Sequence, residues 1–196
     1  PALWFFANAN PFFDESIRQE FTFNPERGIK LLAEIGIKPD ANGKMVDSQG
    51  NVIEFTINLG SDRKIAIDTA NIFADELKKA GITLNVKPID FQKLVDSLIK
   101  TYDWQLAMVS LGENYWPSSG SNVWQSSGNF HLWNPLQEKP ATDWEARIDH
   151  LYQTGDATRD KTAAKKIWDE YQRLILDQIP LMYTVYQSEF LAVHNK

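Results

Sequence analysis

Three short apolar runs, VIEFTINLG (52–60), ITLNVKPI (82–89) and WQLAMVSLG (104–112), are separated by two stretches with the 3.6-residue period of helices. In the first stretch, Ile65, Thr69, Ile72, Phe73, Leu77 and Ala80 mark a helix from about Arg63 to Ala80, closed by Gly81. In the second, Asp90 caps a helix whose Phe91, Leu94, Val95, Leu98 and Ile99 fall on one stripe. Strand, helix, strand, helix, strand in series predicts a parallel sheet with right-handed crossovers, flanked by helices. In such sheets ligands sit beyond the carboxyl ends of the strands. The run at 104–112 is apolar enough to predict burial on both faces.

The flanks are helical or irregular. Residues 1–23 show no clean period and predict an irregular segment packed on something larger. Asn24 and Pro25 open a helix with Leu31, Leu32 and Ile35 on the same face as Gly28, stopped by Gly36. Lys44–Val46, a turn at Asp47–Asn51 and the strand from Val52 read as a hairpin. Further on, Thr142-Asp-Trp-Glu145 is a capping box for a helix ended by Gly155. A longer helix follows from about Thr158 to Gln178, with Ala164, Ile167, Trp168, Tyr171, Leu174 and Ile175 inward, and Pro180 ends it. LMYTVYQSEFLAVHN predicts one or two late strands. With no repeat and no clear linker, residues 1–196 read as a single domain.

Several function classes drop out. Net charge is −6, with no basic stripe, so nucleic acid is not an expected partner. The chain has no cysteine, which removes disulfides and thiolate chemistry. His131, His150 and His194 lack metal-ligand spacing, so no metal and no cofactor is expected. The Asp40 and Asp47 stretches have Met45 and Val52 where a calcium loop requires glycine, and read as turns. Paired acids at Asp75-Glu76 and Asp169-Glu170 fall on outer helix faces. No nucleophile elbow or phosphate loop occurs.

The chemistry concentrates in SLGENYWPSSGSNVWQSSGNFHLWNP (110–135), which holds three of the seven tryptophans and one acid, Glu113. Two readings stand for its rings. They fill the core, Trp133 and Phe130 above all, or they line a cleft at the strand's end, where aromatic planes supply contact and polar groups orient a ligand. On the second reading Glu113 is the counter-charge for a ligand ammonium. Asn114 and Asn122 orient it, and Tyr115, Trp116 and Trp124 are stacking walls. His131 and Trp133 complete the candidate set nearer the next helix. A hydrolase using Glu113 and a protein-docking module are the rival classes.

In series, FNPERGIKLLAEIGI, GNVIEFTINL, IFADELKKAGITLNVKPIDFQKLVDSL, YDWQLAMVSLG and KKIWDEYQRLILDQIPLMYTVY resemble the second lobe of family-5 solute-binding proteins of ABC importers. The resemblance implies a type II periplasmic-binding-protein fold, no catalysis, and a peptide or other solute closed between two lobes. A membrane permease would receive the loaded form, in the periplasm or outside the cell. It also implies that the strand at Leu106–Leu111 offers main-chain groups, here at Val109 and Leu111, to a peptide. Glu113, four residues before Pro117, matches the position that pairs with a peptide's amino terminus, where Asp is usual. The Trp-rich loop is longer than the family's, and stacked rings suit oligosaccharides too. The first lobe of such a receptor is absent from this chain, so weak or no binding by the piece alone is expected. An aromatic patch that the missing lobe would cover makes self-association plausible.

Overall fold

The computed structural model describes residues 5–6, 10–18, 22–111, 116–135 and 137–184. The chain forms two compact units, one of Thr22–Gly112 and one of Pro1–Phe21 with Glu113–Lys196.

In the 22–112 unit, α1 (Pro25–Glu34) starts where the Asn24 side chain accepts the Arg27 amide at 2.9 Å. Its expected apolar face forms, yet buries nothing: Leu31 is 50% and Ile35 73% exposed. The expected hairpin is mostly replaced. β2 (Met45–Val46) pairs antiparallel with β1 (Lys38–Pro39), and only a single bridge joins Val46 to Val52. The Asp47 carboxylate accepts the Gln49 and Asn51 amides, with Gly50 at φ +86°, so the turn forms as read. Beyond it the chain leaves for a different sheet, whose pairing wins because it runs over seven residues.

That sheet has the order β4-β3-β5, with β3 (Glu54–Gly60) central and both pairings parallel, as the alternation predicted. Glu54 to Gly60 lie opposite Thr83 to Ile89 of β4, and Ile57 to Leu59 opposite Leu106 to Met108 of β5. α2 (Lys64–Lys79) covers one face: Ala66, Ile67, Ala70, Ala74 and Leu77 pack on Ile57, Leu59 and Leu84. Alanines at the contact let the helix lie close, and Ala70 is fully enclosed. α3 (Phe91–Asp96), capped by Asp90, buries Leu94 and runs into a π-helical turn at Ser97–Thr101 that buries Leu98. Phe91, expected on that inward stripe, is 56% exposed. β5 corrects the sequence reading more sharply. It is three residues long, half-buried and at the sheet's edge, because β3 is its only partner among the described residues.

The second unit is built on helices: α4 (Ser121–Trp124), α5 (Asp143–Ala157) and α6 (Lys161–Gln178). Its core joins Phe6, Trp124, Ile148, Leu151, Tyr152, Ala164, Trp168, Tyr171 and Ile175. The inward stripe predicted for α6 holds, with Ala164, Trp168, Tyr171 and Ile175 buried and Ile167 and Leu174 half-buried. The N-terminal segment is irregular where described, and Phe5, Phe6 and Phe12 join this core. Lys165 ties it down, 2.7 Å from both Asp14 and Asp169. Asp169 is therefore engaged and 14% exposed, not on a solvated face. Residues 181–184 form no strand, and the rest of the expected late strands lies outside the described residues.

Gly155 sits inside α5 instead of ending it, because the Trp168 ring packs on its backbone: a Cβ there would stand 2.4 Å from Cζ2. At the helix start the capping box forms as read. Glu145 Oε2 accepts the Thr142 amide at 3.0 Å and hydroxyl at 2.8 Å, and the Glu145 amide returns to Thr142 Oγ1. The other oxygen, Oε1, accepts His131 Nε2 at 2.9 Å and Trp133 Nε1 and Gln137 Nε2 at 3.2 Å. Burial pushes this carboxyl upward, but hydrogen bonds from His131, Thr142, Gln137 and Trp133 outweigh it and hold it at about 2.

Gly155→Ala is expected to destabilise the unit by about 1–3 kcal/mol in urea unfolding followed by tryptophan fluorescence, since overpacking exceeds the alanine gain in helix propensity. Because the folded pKa of Glu145 lies below its ordinary 4.5, its contribution is complete above that pH and is lost as pH falls through about 2. Between those values the urea midpoint is expected to drop, and to drop less steeply in Glu145→Gln; equal slopes would contradict the assignment.

Candidate functional site

Glu113, Asn114 and Tyr115 lie outside the described residues. Val109 and Leu111 follow β5 and are 40% and 50% exposed, so the chain beyond the sheet edge faces solvent. Along β5 itself the edge away from β3 has no partner strand among the described residues.

Trp116 is the most exposed ring among the loop's described residues. Its backbone is extended at φ −108°, ψ 136°, and the residue is 52% exposed. One side leans on Phe12, with ring centroids 6.0 Å apart and planes at 62°, and Phe12 in turn lies 6.2 Å from Trp168. Pro117 then enters a 3-10 turn, Pro117–Gly120, with its own ring buried. Asn122 is exposed, and its side-chain oxygen accepts the Asn129 amide at 2.8 Å. Gly128 is required beside it, since a Cβ there would meet the Asn122 carbonyl at 2.2 Å.

The remaining three candidates took the other course that the sequence left open. Trp124 is 7% exposed, with its ring 5.1 Å from Phe5 and 5.4 Å from Trp133. His131 is fully enclosed, against Trp133 at 3.9 Å. Its two ring nitrogens face the Val123 carbonyl at 3.0 Å and Glu145 at 2.9 Å, both acceptors, so both bonds form only when the ring carries two protons. Trp133 stacks on Trp144 at 6.1 Å and 28°. These side chains fill the unit's interior, where buried polar rings find fixed partners. Phe130, which the core-filling reading put inside, is 42% exposed.

Three groups behind the loop were not assigned that role from the sequence, although Tyr171 was read as inward. Tyr152 Oη donates to the Pro117 carbonyl at 3.0 Å, and Tyr171 Oη lies 3.0 Å from it. Asp149 accepts the Ser126 amide at 2.8 Å and also its hydroxyl. Helical periodicity places such residues inward but does not reveal which loop atom they reach. Among the described residues, no three His, Asp or Glu side chains stand together as a metal site would require.

Residues 1–131 match the model of the bacterial extracellular solute-binding proteins, family 5, middle region. A probable ABC transporter-binding protein of Deinococcus radiodurans is 28% identical over 186 residues, covering 88% of this chain and 31% of that protein. The oligopeptide-binding protein AppA of Bacillus subtilis, solved with a nonapeptide, superposes with a TM-score of 0.75 at 19% identity over 89% of this chain and 34% of that one. MelB of Agrobacterium fabrum, solved with stachyose, gives 0.78 at 14% identity, covering 89% and 28%. The chain thus spans about a third of the length of these proteins, and the structural likeness is one of fold, that of type II periplasmic-binding proteins. With the family model covering two thirds of the chain, including all three parallel strands, the chain belongs to the bacterial extracellular solute-binding proteins of family 5.

Proposed function

We propose that the chain is part of the substrate-binding component of an ABC importer. It captures a solute, a peptide in the first instance, outside the cytoplasm between two lobes and delivers it to a membrane permease. Residues 1–196 belong to the second lobe of that receptor. Its role is binding, not catalysis.

One observation carries this reading: β5 is an edge strand whose outer backbone groups lack a partner strand among the described residues, and the chain past it is exposed through Val109 and Leu111. An extended peptide can pair with such an edge. Trp116 supports it with a half-exposed ring whose position is braced by Phe12. Glu113 is the counter-charge for the peptide amino terminus, and Asn114, Tyr115 and Asn122 complete the ligand contacts. The roles of Trp124, His131 and Trp133 are in the core, and they are not carried forward as contacts.

A second reading, capture of an oligosaccharide, is favoured by the half-exposed Trp116 and by the likeness to MelB, which was solved with stachyose. With Trp124 in the core, one stacking wall fewer than the sequence promised makes it the weaker one.

Native mass spectrometry of the full receptor with an equimolar library of synthetic nonapeptides separates the two. Peptides are expected to be retained. Trp116→Ala should weaken them about ten-fold without moving the urea midpoint, whereas Trp124→Ala should cost about 3–5 kcal/mol of stability. Glu113→Gln should weaken peptides with a free amino terminus and leave N-acetylated ones unchanged. Retention of stachyose in place of peptides would overturn the peptide assignment.

A further inference from the structure

The segment after Trp116 is fastened from beneath by α5 and α6. Tyr152 is 1% exposed, and its hydroxyl donates to the Pro117 carbonyl at 3.0 Å. A carbonyl oxygen can only accept, so the Tyr152 proton is committed to it. The Tyr171 hydroxyl, 3.0 Å away and equally buried, must then donate to Tyr152. Burial pushes both phenols well above their ordinary range, which keeps both protons in place. The result is a directed chain, Tyr171 to Tyr152 to Pro117, in which each bond polarises the next.

Two neighbours hold the same turn. Gly120 lets its backbone approach so closely that a Cβ would lie 3.1 Å from the Tyr152 hydroxyl and 3.1 Å from Trp124 Cδ1. The Ser118 side chain faces Asp156, one turn further along α5, and offsets part of the effect of burial on that carboxyl. Pro117 itself has a fixed φ and no N–H, so its carbonyl is the polar group by which the turn's first residue can be held. The residue immediately before it is Trp116, whose ring leaves the core surface there and is 52% exposed.

We propose that Tyr152 is a positioning residue for ligand capture: by holding the Pro117 carbonyl it fixes the pivot from which Trp116 presents its ring to the solute. The ligand part of this inference rests on the function proposed above; the pivot itself does not. Tyr171 acts one step further back. Losing its hydroxyl removes a buried bond but leaves the Tyr152 donor on Pro117, so the two tyrosines separate a positioning role from a merely structural one.

The test uses the full receptor labelled with 5-fluorotryptophan, with the Trp116 resonance identified by its loss in Trp116→Phe. Without ligand, Tyr152→Phe is expected to move that resonance by more than its linewidth, and Tyr171→Phe to leave it within the linewidth. With the nonapeptide library, Tyr152→Phe should weaken binding about ten-fold and Tyr171→Phe less than two-fold, while the two lose similar stability to urea. In a Trp116→Ala background the effect of Tyr152→Phe on affinity should vanish. An unmoved resonance in Tyr152→Phe, or equal shifts in both variants, would overturn the pivot. A moved resonance with unchanged affinity would instead remove Trp116 from the ligand site and leave the pivot standing. Should Tyr152→Phe not fold, Gly120→Ala, which crowds the same hydroxyl, is expected to move the Trp116 resonance; if it does not, the pivot falls.

Discussion

Ring-on-ring packing around Tyr171 is the interaction on which the loop-bearing unit depends. Tyr171 has Phe5 at 5.2 Å, Tyr152 at 5.2 Å and Trp168 at 5.7 Å, each near edge-on. Edge-to-face contacts of this kind are directional as well as apolar, so they fix orientation in a way an aliphatic core would not. That matters because the loop between α4 and α5 has little regular structure of its own. Its order comes from what it sits on, an aromatic floor and the carboxylate of Glu145, while the hydroxyl of Tyr152 holds the turn before α4. A buried carboxylate costs heavily unless its acceptor sites are filled. Glu145 meets that condition with donors from His131, Trp133, Gln137 and Thr142. One charge at the start of α5 thus organises residues from across the loop.

The other unit rests on a different device. β3 pairs on both sides, and α2 lies on it through small residues, with Ala70 fully enclosed. Strong central pairing leaves β5 free to be short. A three-residue edge strand with solvent beyond it is poor scaffolding but well suited to accepting another extended chain. The features that make β5 a weak strand in the sheet are therefore the ones that recommend it as a binding edge.

Much of the fold was legible in the sequence because its signals are local and periodic. The alternation of runs at 52–60, 82–89 and 104–112 with helical stretches led directly to the parallel sheet. Asn24, Asp90 and the Thr142–Glu145 box cap helices where read, since capping depends on a few adjacent residues. Departures came where the deciding partner is distant. Gly155 looked like a helix stop until Trp168, on the next helix, explained it. The expected hairpin lost to a longer parallel pairing with residues some thirty positions away. For the loop, composition announced aromatic surface but not its direction. Trp116 turned out, and Trp124 and Trp133 turned in, where Phe5, Trp144 and Tyr171 from outside the loop meet them.

Hydrogen–deuterium exchange of the full receptor, with and without the nonapeptide library, tests most directly whether this region captures solute. Amides of Leu106–Leu111 and those flanking Trp116 are expected to gain protection when peptide binds, while α6 stays as it was. Protection confined to other segments, with the β5 edge and Trp116 unchanged, would contradict the assignment.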